Sequence, residues 1–420
     1  MFTAICSWPS APFQHSLVAA ALDSLDPPPS VVESPVPGSP TLFWSTYDDI
    51  DHELVHSQRD SVLSSSYTFR KALIRKHFLS RCLHSYIIKH PDCKLKDAVP
   101  RTFEVEISCV DELDELWIDE LWELANELDG SKWWILKPGM ADRGNGIRLF
   151  NTKEALEKIF QDFEDQDSED EEDSTAVVTS QLRHFVIQEY LANPLLVDPV
   201  STRDSEGVKF HLRTYCVASG AIEVFVFNKI LALFSPVPYS EPTAEEDEDG
   251  DPLPVDLAPH LTNTSLQKDH GEEGVRLLEE LVGSHVLSGP KAPFTNEDVK
   301  SIMDQMVVVL GETFKAAVET PVHFQPIPNA FELFGIDFLV TDSPTASPRF
   351  QVKLLEINSE PAIELTGPRL SWILRDLFVA ISRTCVVPFF KPEAGDAEWS
   401  VGETRHGLIK CLDEEVRGVS

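Results

Sequence analysis

Two stretches carry oxygen ligands at spacings that suit a hard cation. In FQVKLLEINSEPAIEL, residues 350–365, the period of two along a strand puts Glu356 and Asn358 on one face. In FELFGIDFLV, residues 331–340, Asp337 interrupts an otherwise apolar run, where an unpaired carboxylate would be expensive to bury. Mg²⁺ prefers near-octahedral oxygen coordination and usually takes one or two carboxylates, leaving other positions to water and nucleotide phosphate. Asp337, Glu356 and Asn358 are therefore a candidate metal set. A local cap or ion pair of Asp337 accounts for that carboxylate as well.

Three further segments could meet a nucleotide. WWILKPGMADRGNGIRLF, from Trp133, reads as strand, turn, strand, with Lys137 ending the first strand and glycines at 139, 144 and 146. Glycine lets backbone close over phosphates and lysine supplies a point charge. No GKS/T ending or following helix is present, so this is not a P-loop. FVIQEYLANPLLV is an apolar strand ending in Gln188, Glu189, Tyr190 and Leu191. It could offer backbone groups and the Gln188 amide to an adenine edge, or be a plain core strand. In KFHLR, Lys209, His211 and Arg213 alternate onto one face, opposite Phe210 and Leu212. Solvent or an anionic ligand could face them.

The elements that must position these groups belong to a chain of 420 residues, 42% hydrophobic and 25% charged. That is a soluble globular profile, long enough for two or three modules around a large core. No apolar run is long enough to span a membrane, and the N-terminal stretch, with early prolines and no basic region, is not expected to be a signal peptide. Seven scattered cysteines without a CxxC favour a reducing, cytoplasmic setting over a disulfide framework or zinc site. A net charge of -35 argues against direct nucleic-acid binding, which needs clustered Lys and Arg.

Much of the acidity sits in three runs. Residues 111–129 place Leu113, Leu116, Trp117, Leu121, Trp122 and Leu124 at helical spacing beneath an acidic face. Residues 161–173 and 241–251 are expected as solvated loop insertions. Residues 1–45, with PPPS and SPVPGSP, are expected as extended or turn-rich connector. YTFRKALIRKHFLSRCLHSYIIKHP suggests a helix on Phe69, Leu73, Ile74, Phe78 and Leu83. Its Arg70, Lys71, Arg75, Lys76 and Arg81 are a solvated face or a docking face for an anionic ligand or peptide. VKFHLRTYCVASGAIEVFVFNKILALFS reads as strands around a turn at Ser219-Gly220.

The ordered set WILKPGMADRGNGI, FVIQEYLANPLLV, KFHLRTY, HLTNTSLQ, FELFGIDFLV and LLEINSEPAIE resembles the tubulin-tyrosine ligase family of ATP-grasp enzymes, over about residues 65–395. The resemblance implies an α/β (α+β) ATP-grasp fold, with the nucleotide cleft between central and C-terminal antiparallel sheets and a smaller N-terminal domain. The organisation expected is a Pro-rich segment 1–45, an N-terminal subdomain 46–105, a central subdomain 106–205, a C-terminal subdomain 206–392 and a tail 393–420. ATP and Mg²⁺ are the implied cofactors. By resemblance, Lys137 contacts phosphate under the Arg143-Gly144-Asn145-Gly146 loop, and Gln188 with the backbone of Glu189, Tyr190 and Leu191 receives adenine. Lys209 and Arg213 lie along ribose and phosphates as the catalytic cations, and His260, Leu261, Thr262 and Asn263 line the nucleotide and acceptor region. Asp337, Glu356 and Asn358 hold Mg²⁺.

The implied reaction joins a free amino acid to a protein carboxylate, on a tubulin tail or another protein, through an acyl phosphate. No membrane or nucleic-acid partner is implied. The chain departs from the family pattern twice: His211 stands where K-F-D-x-R has aspartate, and Leu233 stands at the position of an arginine, with Lys229 nearby. These departures define an alternative, a catalytically weak or inactive ATP-grasp module serving as an interaction scaffold. An acidic tail would also be repelled by this acidic chain, so a basic patch of Arg70 to Arg81 with Lys94, Lys96 and Arg101 is expected beside the cleft.

Overall fold

The prolines of the first 45 residues punctuate a folded unit, not a connector. Strands β1 (Thr3–Ile5), β2 (Ser30–Val31), β3 (Thr41–Phe43) and β4 (Val62–Ser64) form a parallel sheet in the order β2-β1-β3-β4. The prolines fall between strands or, as Pro12, in the first turn of the helix Pro12–Asp23, where a missing N–H costs no helical bond. That helix buries Leu17, Val18, Ala21 and Leu22 and packs on the helix Ser371–Ile381. An expected boundary at residue 45 separates β3 from β4, which pair with each other. The computed structural model describes residues 2–139, 146–169, 183–198, 207–262, 274–289, 292–343, 345, 347–394 and 399–416.

The basic stretch after β4 is broken. β5 (Phe69–Arg70) leads into helices Lys71–Ile74 and Lys76–Lys89, with Arg75 extended between them. Phe69 is exposed, and Arg70 is buried against Glu332 at 2.6 Å.

The central sheet is antiparallel, β6 (Thr102–Glu106), β7 (Asp129–Pro138), β8 (Arg148–Thr152) and β9 (His184–Glu189), in the order β6-β9-β7-β8. The helix Lys153–Glu169 covers it with Leu156, Phe160 and Phe163. Residues 161–169 of the acidic run are therefore helical, not loop, and 170–173 lie outside the described residues. The apolar stripe at i, i+4, i+7 outweighs the charge on the outer face. The other acidic run, 111–129, is not one helix. It folds as two short helices, Leu113–Leu116 and Trp122–Ala125, burying Leu113, Trp117, Leu121 and Leu124 but leaving Trp122 60% exposed.

The largest sheet is built on β11 (Val208–Ser219), which β10 (Leu196–Val197) joins at its start. β12 (Glu223–Phe227) and β13 (Leu231–Phe234) pair with its two halves, and β14 (Val275–Leu277) extends the β13 edge. β15 (Phe324–Gln325) returns to pair with β5, while β16 (Phe331–Asp342) runs along β11 and pairs with β17 (Phe350–Ser359). β18 (Thr404–Arg405) and β19 (Leu408–Asp413) close the β12 side. One face is covered by the helix Asn296–Val318, started by a Thr295–Asp298 capping box and burying Ile302, Met306, Leu310 and Phe314. Residues 241–251 form an exposed loop. All seven cysteines are free. No helix among the described residues is long and apolar enough to cross a membrane.

Candidate functional site

A cleft of about 740 Å³, counted to its open mouth, lies between the central and C-terminal sheets. β7 and β9 supply one wall through Ile135, Lys137 and Gln188, followed by Glu189, Tyr190 and Leu191. The other wall comes from β11, β16 and β17 through Lys209, His211, Asp337, Leu339 and Glu356. His260, Leu261 and Thr262 line it from a loop. Of the residues singled out in the sequence, Lys137, Gln188 to Leu191, Lys209, His211, His260 to Thr262, Asp337 and Glu356 line this one cleft. Arg143, Gly144 and Asn263 lie outside the described residues. Gly146, at φ 72, holds the left-handed backbone that favours glycine and precedes Ile147, which lines the cleft.

The KFHLR face looks into protein, so the solvent reading of it fails: Lys209 is 6% exposed and His211 3%. Lys209 Nζ lies 3.4 Å from the Tyr190 hydroxyl and 4.7 Å from the centre of that ring. Burial, with Lys137 adding repulsion, pushes the Lys209 ammonium down to about 7. Burial likewise pushes Lys137 down to about 8, against the pull of Glu356. Lys137 donates to Gln188 Oε1 at 2.7 Å, and Gln188 Nε2 donates to Thr102 Oγ1 at 3.1 Å. The Gln188 amide expected at adenine is thus engaged by protein. The Glu189 and Tyr190 N–H groups bond the Arg101 and Trp133 carbonyls. Tyr190 Oη and His260 Nδ1 are 2.9 Å apart, and burial with nearby Lys209 lowers His260 to about 4.

Arg213 does not line the cleft. It forms a two-point pair with Asp337, Nε to Oδ1 at 2.5 Å and Nη2 to Oδ2 at 2.8 Å. The ion-pair reading of Asp337 is therefore realised. Burial alone would raise Asp337, but Arg213 and His211 hold it well below the carboxylate range. Burial alone would lower Arg213, but Asp337 holds it above its ordinary value. His211 Nδ1 is 2.5 Å from Thr262 Oγ1, and its Nε2 sits 3.4 Å from Asp337 Oδ1 without a hydrogen bond.

Asp337 and Glu356 occupy facing positions on β16 and β17, at a bulge. The Asn358 amide lies 3.4 Å from Asp337 Oδ2 and 3.2 Å from Glu356 Oε1. Asp337 and Glu356 line the cleft with the Asn358 carboxamide beside them, oxygen donors of the kind Mg²⁺ takes, although both Asp337 oxygens already accept from Arg213. No cluster of three or more His, Cys, Asp or Glu that could hold a metal occurs among the described residues.

Lys76 is a site residue that sequence reasoning misses. Its Nζ is 3.1 Å from Glu356 Oε2, reaching from the first residue of the helix Lys76–Lys89. Burial raises Glu356, but Lys76 and Lys137 bring it below its usual range. Nothing in the local pattern separates Lys76 from its basic neighbours; only chain packing does. Four of the eight residues of the expected basic docking face are ion-paired: Arg70 with Glu332, Lys76 with Glu356, Arg81 with Glu104, and Arg101 with Glu123 and Glu127. Leu233 pairs across the sheet with His211 and is buried among apolar residues. Lys229 is held by Glu279 at 2.8 Å and does not line the cleft.

Among known proteins, residues 56–394 match the model of the tubulin-tyrosine ligase family. The chain is 37% identical over 398 residues to probable tubulin–tyrosine ligase PBY1 of Saccharomyces cerevisiae, covering 90% of this chain and 49% of that one. It thus spans about half the length of that relative. It is 38% identical over 369 residues to probable tubulin–tyrosine ligase C12B10.04 of Schizosaccharomyces pombe, covering 83% of each. Among solved structures, it resembles the C-terminal domain from K. lactis Pby1, described as an ATP-grasp enzyme interacting with the mRNA decapping enzyme Dcp2. The TM-score is 0.68 and the identity 31%, over 98% of this chain and 99% of that one.

Proposed function

Because the chain belongs to the tubulin-tyrosine ligase family and has the ATP-grasp fold, we propose that it is an ATP- and Mg²⁺-dependent ligase joining a free amino acid to a protein carboxylate. The observation that carries this reading is the placing of Asp337 and Glu356, with Asn358 beside them, in a cleft that Lys137 and Lys209 also line, neither lysine forming an ion pair among the described residues. In the reaction, an acceptor carboxylate oxygen bonds to the γ-phosphorus and ADP leaves. The amino acid's amine then bonds to the acyl carbon, phosphate leaves with the electron pair, and the nitrogen gives up a proton.

Neither step needs an enzyme nucleophile; both need charge neutralisation, alignment and exclusion of water. Asp337, Glu356 and Asn358 would hold Mg²⁺, which would supply Lewis-acid neutralisation of phosphate charge. Lys137 and Lys209 would meet phosphate oxygens, whose negative charge favours the protonated form of each. Ile135, Tyr190, Leu191, Leu261 and Leu339 would give the base an apolar bed. Arg213 acts on Asp337, fixing its carboxylate, and so serves as a positioning residue. We take the setting to be the cytoplasm, and a tubulin tail as one acceptor to test.

The second reading is a weak or inactive module that works as a protein-interaction scaffold. It is favoured by the burial of Leu233, which offers no charge from β13 to an acyl phosphate. The interaction of the K. lactis neighbour with Dcp2 fits it too. Calorimetric titration with a non-hydrolysable ATP analogue and Mg²⁺ tests the first reading. Metal-dependent binding that Glu356→Gln abolishes supports it, and absence of binding to folded wild type turns the balance to the scaffold.

A further inference from the structure

The connection between β6 and β7 carries an apolar face that the fold leaves uncovered. Its two short helices, Leu113–Leu116 and Trp122–Ala125, turn Leu113, Trp117, Leu121 and Leu124 inward onto the core of the central sheet. The two tryptophans of this segment have opposite fates. Trp117 is 9% exposed, its indole N–H donates to Glu157 at 3.4 Å, and Lys153 Nζ lies 5.4 Å from the centre of its ring. Trp122 is 60% exposed, and no ring or cation stacks on it among the described residues. Ile118, four residues before it, is 80% exposed. Single apolar side chains on a surface need no explanation, but a large aromatic and an aliphatic one so close together on an otherwise charged segment mark a contact surface.

Charge decides what covers this face. No Lys, Arg or His falls between Arg101 and Lys132. Some carboxylates of the segment are already engaged: Glu123 and Glu127 pair with Arg101, and Glu112 accepts from the Ser108 N–H. Those on either side of Ile118 are not. Asp114, Glu115, Asp119 and Glu120 are exposed, and their side chains make no ion pair or hydrogen bond among the described residues. Carboxylates crowded in this way repel one another, and a cation between them relieves the repulsion. An indole face is also the best aromatic partner for a guanidinium or ammonium group. The combination favours a basic polypeptide that carries an apolar side chain. It disfavours nucleic acid, an anionic membrane and a second copy of this chain, whose net charge is -35.

We propose that the face of Ile118 and Trp122 docks a basic segment of a partner protein. An aliphatic or aromatic side chain of that segment covers Ile118 and Trp122, and its Arg or Lys groups meet the Trp122 ring and the carboxylates of Asp114, Glu115, Asp119 and Glu120. The apolar pair supplies the affinity, and the carboxylates choose the sign of the partner and speed its approach. None of these residues lines the nucleotide cleft, so the docking face does not rest on the ligase reading.

The test is fluorescence anisotropy of the full chain with a labelled amphipathic peptide of about 15 residues, Lys and Arg around a stripe of Leu and Ile. Two companions serve as controls, one with the basic residues replaced by Glu and one with the apolar residues replaced by Ser. The first peptide is expected to bind, more weakly as salt is raised, and both companions to fail. Trp122→Ala is expected to weaken binding at least tenfold, and Asp119→Asn with Glu120→Gln about fivefold, with thermal unfolding confirming that the variants are folded. Trp372→Ala, at another exposed tryptophan on the helix Ser371–Ile381, is expected to leave affinity unchanged. No binding of the first peptide, equal binding of the Ser companion, or an affinity unmoved by Trp122→Ala overturns the proposal. So does sedimentation showing a dimer of this chain that Trp122→Ala dissociates, because the face would then belong to a second copy.

Discussion

Lys209 and Arg213 sit four residues apart on one face of β11, both removed from solvent, and their electrostatics are opposite. Arg213 meets Asp337 in a two-point pair and holds its charge more firmly than in water. Lys209 has a tyrosine ring and hydroxyl for company, no carboxylate partner among the described residues, and an ammonium pushed down to about 7. A buried cation with a counter-ion holds structure in place, whereas one without is strained until an anion arrives. On the ligase reading proposed above, Lys209 is the end of the strand that would meet phosphate.

The hardest test of that contrast is Asp337→Ala, which strands Arg213 in the interior. It should cost about 3 to 5 kcal/mol in denaturant unfolding and remove metal-dependent nucleotide binding; a loss below about 1 kcal/mol would mean the pair behaves like a surface one. Lys209→Met should do the opposite to the two readouts. Nucleotide affinity should fall about 10- to 100-fold, since charge-assisted hydrogen bonds contribute about 1.5 to 3 kcal/mol, while the ligand-free protein gains stability. A variant that loses stability instead would show that the ammonium is satisfied in the free state.

Protons sharpen the comparison further. Lys209 and Lys137, at about 7 and about 8, lie below their unfolded value of 10.5. Between these values the unfolded chain binds more protons, so these two groups make ligand-free stability rise with pH. Nucleotide binding needs the protonated forms, so affinity should fall as pH rises through 7 and 8, by at most about tenfold per unit per proton taken up. Flat affinity across this interval in calorimetry would remove the lysines from phosphate binding. Glu332 has the reverse sign, raised by burial to about 7 from 4.5 even with Arg70 beside it. The folded state there binds the extra proton, so its contribution falls as pH climbs from 4.5 to 7, and Glu332→Gln should flatten that slope in thermal unfolding. The smallest effect is expected for Lys76→Met. Its pair with Glu356 is partly exposed, so nucleotide affinity should change about threefold or less.

The site strands are readable because alternation shows itself within a few residues: 209, 211 and 213 share a face, as do 356 and 358. The N-terminal sheet is not. Strands of two or three residues are too short to show a period, and the prolines of their loops mimic a connector. Acidic composition misleads in the same way after β8, where it hides the apolar stripe of Leu156, Phe160 and Phe163 that makes residues 153–169 a helix.

By itself, the sequence determined which side chains share a face, which strands carry ligand-type residues, and that the acidic excess must lie outward. Tertiary structure alone decided what each charged group meets. It sent Arg213 to Asp337, Lys137 to Gln188 and Lys76 to Glu356. The reason is physical: periodicity is a property of one strand or helix, whereas ion pairing and desolvation depend on which distant elements pack together.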